Sequence, residues 1–347
     1  MKKIGIITLN GNNNYGNRLQ NYALRKVLTD LNLDVYTIWF LKDNKFFLKD
    51  FIKKIMFFSL KYARYNNFKK FSHRYLKIKY YTNKDIESLY DYFVVGSDQV
   101  WNWTIYNDFE TYFLTFSPKN KNIAYAASFG VSNVKNEYQK LFCNGLKNIK
   151  DISVREDNGK NLVKEISGLD AEVVLDPTML LTAKEWDKVS KKPKMLKTKK
   201  YILNYFLGNL SELNKKEITR VAYENNCEII NILDKNSPYY KCGPSEFLYL
   251  EKNAFLICTD SFHSSVFAII YNRPFIIFER EDKMEKMNSR LDTLISKFDL
   301  KDRKYNGSSI TYENLHHNYT DSYKILKKER DKSMRFLKNA LNIQDCE

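Results

Sequence analysis

The sequence predicts an α/β protein of two open domains, each organised around a parallel sheet. Short apolar runs recur along the chain, most of them closing in a polar turn. Helical stretches separate these runs, the rhythm of strands joined by crossover helices. The rhythm breaks at residues 183–200, a lysine-rich stretch with few large apolar side chains, and then restarts. With 347 residues the chain exceeds one ordinary core and accommodates two domains of about 150 residues each. The expected division is 1–185, 186–320 and a terminal helix within 321–347 that packs back on the first domain. Two such domains leave a cleft at the carboxyl ends of their strands, where open α/β sheets bind ligands.

In the first half, residues 4–9 read as a strand and 11–17 as a loop rich in Gly and Asn. Residues 17–31 form a helix with Leu24, Leu28 and Leu31 on one face. A strand follows at 35–39. A basic and aromatic insertion at about 42–84 is read as two helices. Further strands are expected at 92–95, 122–126, 152–154 and 172–175. In the second half, strands are expected at 201–206, 227–233, 254–258 and 275–278. Helices are expected at 211–225, from Pro244 to Leu250, after the turn at 259–261, at 287–298 and at 321–341.

Composition excludes several classes. Apolar residues make up 44% and charged residues 28%, a soluble globular balance rather than a disordered one. The N-terminal apolar run is too short for a signal peptide and reads as a first strand. No run reaches the ~20 apolar residues that span a membrane. Cys143, Cys227, Cys242, Cys258 and Cys346 are scattered without CxxC spacing, which fits a reducing cytoplasm and argues against a metal site. The net charge is +16. Residues 42–84 alone hold 13 Lys or Arg against two Asp, interleaved with aromatics. That segment reads as a lysine-rich helix surface, as an anionic membrane contact, or as a single-strand nucleic-acid platform. No nucleic-acid motif accompanies it, so no nucleic-acid partner is expected.

The chemistry concentrates at strand ends. Thr259-Asp-Ser-Phe-His263 lies between a strand and an apolar helix, where free backbone N–H groups and the helix dipole favour an anion. Thr259, Asp260 and Ser261 are candidate caps. His263 in the first turn is a titratable group beside that anion site. Gly11 to Tyr22 joins the first strand to the first helix, and Asn17, Arg18 and Gln20 offer donors at its start. It matches neither the dinucleotide fingerprint nor the P-loop. Val94-Val-Gly-Ser-Asp-Gln-Val-Trp-Asn102 ends another strand. Asp98 is placed there to take a proton or a sugar hydroxyl bond, and Trp101 to stack on a sugar face. Ser128 ends a third strand as a candidate donor. Arg155 ends a fourth as an anion clamp. Asp176 is read as capping the turn around Pro177.

Together these runs resemble the polysaccharide pyruvyl transferase family over roughly residues 4–305. The signs are Tyr15-Gly-Asn-Arg-Leu-Gln-Asn-Tyr-Ala, Gly96-Ser-Asp-Gln-Val-Trp-Asn, Ser153-Val-Arg-Glu-Asp, Asp176-Pro-Thr and Thr259-Asp-Ser-Phe-His. The resemblance implies two Rossmann-like domains in a glycosyltransferase-B-like pair. It implies transfer of pyruvate from phosphoenolpyruvate to two hydroxyls of a sugar, giving a ketal, with no metal and no cofactor beyond that co-substrate. The implied acceptor is a sugar of a cell-surface polysaccharide or its lipid-linked precursor, met in the cytoplasm or on the inner membrane face. His263 and Asp98 take the catalytic roles. Arg155, Thr259, Asp260, Ser261, Ser264, Arg290 and Arg303 hold the donor. Asn14, Tyr15, Asn17, Arg18, Gln20, Gln99, Trp101, Asn102 and Ser128 hold the acceptor. One departure stands out: many relatives carry an arginine two residues before the histidine, where this chain has Ser261. Either Arg290, Arg303 or Arg273 supplies that charge, or the donor differs. A nucleotide-sugar glycosyltransferase, with Glu279 or Glu281 on the ribose, and a non-catalytic glycan-binding module remain as alternatives.

Overall fold

A computed structural model describes residues 1–41, 60–105, 107–280, 289–316 and 319–344. The first unit is a seven-stranded sheet in the order β3-β2-β1-β4-β5-β6-β7. Its strands are β1 (Lys3–Ile7), β2 (Asp34–Phe40), β3 (Ile78–Tyr81), β4 (Tyr92–Val95), β5 (Asn122–Ala127), β6 (Asp151–Val154) and β7 (Glu172–Val173). The second is a four-stranded sheet in the order β11-β10-β8-β9. Its strands are β8 (Tyr201–Tyr205), β9 (Glu228–Asn231), β10 (Leu256–Thr259) and β11 (Phe275–Ile277). Every strand pair in both sheets is parallel. Central strands such as β5 and β8 are buried throughout, as a sheet covered by helices on both faces requires.

The described helices are α1 (Tyr15–Asp30), α2 (Leu60–Tyr75), α3 (Phe109–Tyr112), α4 (Asn136–Lys147), α5 (Asp157–Ser167), α6 (Pro177–Leu180) and α7 (Ala183–Asp187). In the second half come α8 (Glu212–Glu224), α9 (Pro244–Asn253), α10 (Phe262–Tyr271), α11 (Ser289–Lys297), α12 (Tyr312–Leu315) and α13 (Thr320–Ala340). Asn14 caps α1 by accepting from the Asn17 N–H at 3.0 Å. The helix is buried on nearly every side because it lies between the two units. Tyr15 stacks on Phe247 of α9 with ring centroids 4.4 Å apart. One apolar cluster runs from Val94 and Tyr125 of the first sheet to Leu203 and Ile257 of the second.

Several expected boundaries move. Residues 42–59 of the basic insertion lie outside the described residues. The rest of it is one helix, α2, and the edge strand β3, not two helices. Phe68 and Phe71 of α2 face the core and Arg64 is buried against Tyr15, so part of that segment serves packing. No described helix is long and apolar enough to cross a membrane. The strand expected at 172–175 stops at Val173, because the Leu175 N–H turns to the Ser333 hydroxyl at 3.0 Å. The lysine-rich break is not bare linker. It begins with α7, closed by a Thr182–Glu185 capping box, and buries Trp186 completely against Tyr22 and Phe267.

Helix α13 joins the two units. Ser322 donates to the Phe298 carbonyl at 3.1 Å and Glu329 meets Lys297 at 2.8 Å, both in the second unit. Farther along, Arg330 donates to the carbonyls of Met179 and Leu181, and Leu337 is fully buried. Leu337→Ala is expected to cost about 2–5 kcal/mol in urea unfolding. Tyr323→Ala, at a position 66% exposed on the same helix, should stay within about 0.5 kcal/mol.

Candidate active site

In the first sheet the strand order reverses between β1 and β4, and in the second between β8 and β10. Loops leaving such a reversal point run to opposite faces and open a crevice between them. The two crevices meet. Asn14, Asp98 and Gln99 follow β1 and β4; Tyr205 ends β8, Leu207 follows it, and Asp260, Ser261, Phe262 and His263 follow β10. With Ile105, Arg280, Arg290 and Leu291 they line a cavity of about 140 Å³.

Behind the cavity wall lies a buried polar cluster centred on Asp176. This carboxylate caps α6 through the Thr178 N–H at 3.0 Å and takes the Thr178 and Ser97 hydroxyls at 2.6 and 2.7 Å. Arg155 Nη1 donates to it at 2.8 Å. His263 Nε2 lies 3.7 Å from the same oxygen, a charge contact rather than a hydrogen bond. His263 Nε2 has no hydrogen-bond partner among the described residues, although it is buried. Its ring rests on the backbone of Gly16: a Cβ there would stand 2.0 Å from Nδ1. Asp98 holds a positive φ of 74° and accepts from the Gln99 N–H at 2.9 Å and Asn17 Nδ2 at 3.3 Å.

Burial alone would raise both carboxyls. For Asp176, the contact and charge of His263, then Arg155 and Thr178, outweigh burial and hold it far below the usual carboxylate range. For Asp98, Arg155, then His263, Arg290 and the Gln99 N–H also hold it below that range. Burial and then the like charge of Arg155 lower Arg290 to about 10, so it remains a cation at neutral pH.

The opposite wall is the start of α10. Ser261 is its N-cap residue but makes no side-chain capping bond, so the first-turn N–H groups carry no side-chain cap. Asp260 instead accepts from the Leu207 and Gly208 N–H groups, both at 2.8 Å, and binds Arg280 Nε at 2.7 Å. Arg290 reaches the Gln99 side-chain oxygen at 2.6 and 2.9 Å once that amide is turned to face it. The cavity therefore joins two arginines, a helix start and an imidazole.

The model of the polysaccharide pyruvyl transferase family matches residues 14–282. The chain belongs to the polysaccharide pyruvyl transferase family. This family member also shares its fold with solved structures of sugar-nucleotide enzymes. Staphylococcus aureus MnaA, solved with UDP, superposes with a TM-score of 0.50 at 11% identity, covering 100% of this chain and 99% of that one. A Listeria monocytogenes protein described as a UDP-N-acetylglucosamine 2-epimerase gives 0.52 at 8% identity, covering 99% and 97%. At such identities the likeness establishes the fold: two Rossmann-like domains in the glycosyltransferase-B arrangement. No curated protein sequence matches the chain.

In this pyruvyl transferase family member, several residues picked from sequence lie elsewhere. Trp101 is fully buried, stacked on Phe113 with Nε1 bonded to the Tyr112 carbonyl, so it offers no face to a sugar. Ser128 is spent on Glu156, Asn102 on Thr104, and Gln20 on Thr8 and the Ser97 N–H. Tyr15 donates to the Cys242 carbonyl. Arg18 is fully buried on Leu9 and Asn17. Thr259 closes on the Tyr205 carbonyl and Ser264 on Glu251. Arg303 is sealed against Asp302 and the Asn314 carbonyl, away from the cavity. Arg155 stands behind the imidazole, held by Asp176, rather than lining the cavity. Of the rivals for the ribose, Glu279 pairs with Lys304, and Glu281 lies outside the described residues.

Four residues escaped the sequence reading. Gly16 is the seat of the imidazole, and its place inside a helix start, where glycine is costly, was a signal. Asp176 was read as a cap alone. Glu156 ties the β5 turn by accepting from Ser128 and the Phe129 N–H at 2.9 and 3.0 Å. Arg280, just past β11, gave no local sign of its bond to Asp260.

Gly16→Ala is expected to displace His263 and abolish function while the far-UV circular dichroism spectrum stays unchanged. Asp176→Asn leaves Arg155 short of its counter-charge in the interior, a loss of about 3–5 kcal/mol at neutral pH. The native Asp98 and Asp176 values are depressed, so their stabilisation is present above the unfolded carboxylate value of about 3.9 and is lost as pH falls below it. Urea midpoints measured across acid pH should fall more steeply for the wild type than for Asp176→Asn.

Proposed function

We propose that the protein transfers the pyruvyl group of phosphoenolpyruvate to two hydroxyls of a sugar, in a polysaccharide or its lipid-linked precursor. Phosphate leaves and a cyclic ketal forms. The observation that carries this reading is the Nε2 of His263, which makes no hydrogen bond among the described residues and is buried beside a cavity that Arg280, Arg290 and the α10 start line. Family membership supplies the reaction class.

In this reading the first-turn N–H groups of α10, Arg280 and Arg290 hold the donor's phosphate and carboxylate. Arg280 and Arg290 supply the charge that Ser261 lacks. Protonated His263 gives its proton to the methylene carbon of the donor as a sugar hydroxyl attacks the neighbouring carbon. The neutral imidazole then takes the proton of that hydroxyl. A second hydroxyl attacks the same carbon, the C–O bond to phosphate breaks, and phosphate departs. His263 returns its proton to phosphate and recovers one from the second hydroxyl, so each proton is accounted for. Asp98, held at depressed basicity, orients an acceptor hydroxyl rather than removing its proton.

Incubation of the purified protein with phosphoenolpyruvate and a panel of sugar acceptors should release phosphate only when a competent acceptor is present. His263→Ala should lower that rate by about 10²–10⁴-fold. Full activity in His263→Ala would remove its assigned role. Thermal protection by a nucleotide sugar and none by phosphoenolpyruvate would overturn the donor assignment in favour of a sugar transferase.

A further inference from the structure

The α10 start makes a connection that the chemistry above does not use. Ser264, the residue after His263, donates its hydroxyl to the Glu251 carboxyl of α9 at 2.6 Å. Both side chains are fully buried. Glu251 lies in the last turn of α9, where the helix dipole disfavours a carboxylate. Among the described residues it makes no ion pair, and its Oε2 makes no hydrogen bond. We infer that Glu251 is a positioning residue: through Ser264 it fixes the first turn of α10, and with that turn the His263 imidazole and the N–H groups assigned to the donor.

Two helices then hold this turn. Gly16 of α1 seats the imidazole ring, and Glu251 of α9 holds the chain one residue later. The two helices are themselves joined, because Phe247 of α9 stacks on Tyr15 of α1 at 4.4 Å. Ser265 bonds back to the Ser261 carbonyl within the turn, so Ser264 is the serine that ties it to another helix.

The carboxyl acts as a neutral acid. Burial pushes it well above the usual carboxylate range, and the Ser264 bond offsets only part of that. An ionised carboxylate here would set a negative charge behind the N–H groups of the α10 start and oppose an anion there. The neutral acid keeps the acceptor for Ser264 and omits the charge. Packing alone does not call for such a group, since leucine fills a buried position without the cost of burying a carboxyl. The service of Glu251 to the donor rests on the pyruvyl-transfer reading; its hold on His263 does not.

The test uses the full chain labelled with ¹³C at histidine Cε1. The chain has four histidines, and the His263 resonance is assigned by its loss in His263→Gln. Glu251→Leu should shift that resonance, while Glu251→Gln, which copies the neutral acid, should leave it in place. In a Ser264→Ala background Glu251→Leu should shift it no further. That double variant removes both polar groups, so no orphaned partner is left to cost it the fold. A resonance unmoved by Glu251→Leu, or moved as far by Glu251→Gln, overturns the positioning role. An undiminished shift in the Ser264→Ala background overturns the route through Ser264. In the turnover assay Glu251→Leu should raise the phosphoenolpyruvate KM roughly tenfold with the acceptor KM unchanged, and Glu251→Gln should restore it. If the wild type shows no donor-dependent turnover yet Glu251→Leu moves the resonance, the transfer reading falls and the positioning role stands. Turnover with the resonance and the donor KM both unmoved in Glu251→Leu does the reverse.

Discussion

The Asp176 carboxylate sets the terms for everything around it. A buried carboxylate costs several kcal/mol in lost hydration, and only converging donors offset that. Here the donors come from separate stretches: Ser97 after β4, Arg155 after β6 and Thr178 in α6. Three strand ends of the first sheet are thereby tied to one oxygen pair. His263, from the other unit, faces the same pair. The imidazole is thus placed by charge on one side and by the bare backbone of Gly16 on the other. The contact with Asp176 is made by Nε2 but stays longer than a hydrogen bond.

In the proposed reading the cavity holds an anion less by net excess of charge than by arrangement. Arg155 is matched by Asp176, and Arg280 by Asp260. Asp98 and Glu156 add further negative charge nearby. An anion entering this space meets few surplus cations. It meets instead fixed N–H dipoles at the α10 start, which need no reorganisation to receive it. That makes the geometry of the turn after Thr259 more important than any single arginine.

Much of the frame was legible in the sequence because parallel strands are written locally. Runs such as 92–95 and 201–205 are apolar, short and closed by polar turns, and they became β4 and β8. The clusters at strand ends were legible for the same reason. What was not legible depended on partners far away in the chain. Trp101 sits among polar neighbours and looks exposed, yet Phe113 and Phe129 bury it. Asp176 looks like a turn cap because its partners Ser97 and Arg155 lie 79 and 21 positions away. Strand β3 is masked by its lysines and tyrosines, a composition tolerated because it lies at a sheet edge. Leu175 ended its strand early for a hydroxyl on α13.

The course of α13 has a consequence for how the molecule is made. The hydroxyl of Ser333 completes the backbone bonding at Leu175, and Phe336, Leu337 and Ala340 join the apolar cluster that includes Tyr125. The Lys2 ammonium, beside the first strand, closes on the carbonyls of Leu341 and Asn342. A ribosome delivers residues in order, at about 5–20 per second. The first sheet is therefore synthesised long before its last covering helix. For that interval the apolar patch around Tyr125 that Phe336 and Leu337 come to cover lacks those partners, so this part of the early unit stays loosely packed until residues beyond 320 emerge. Maturation of this fold is in that sense a closing of the chain upon its own beginning.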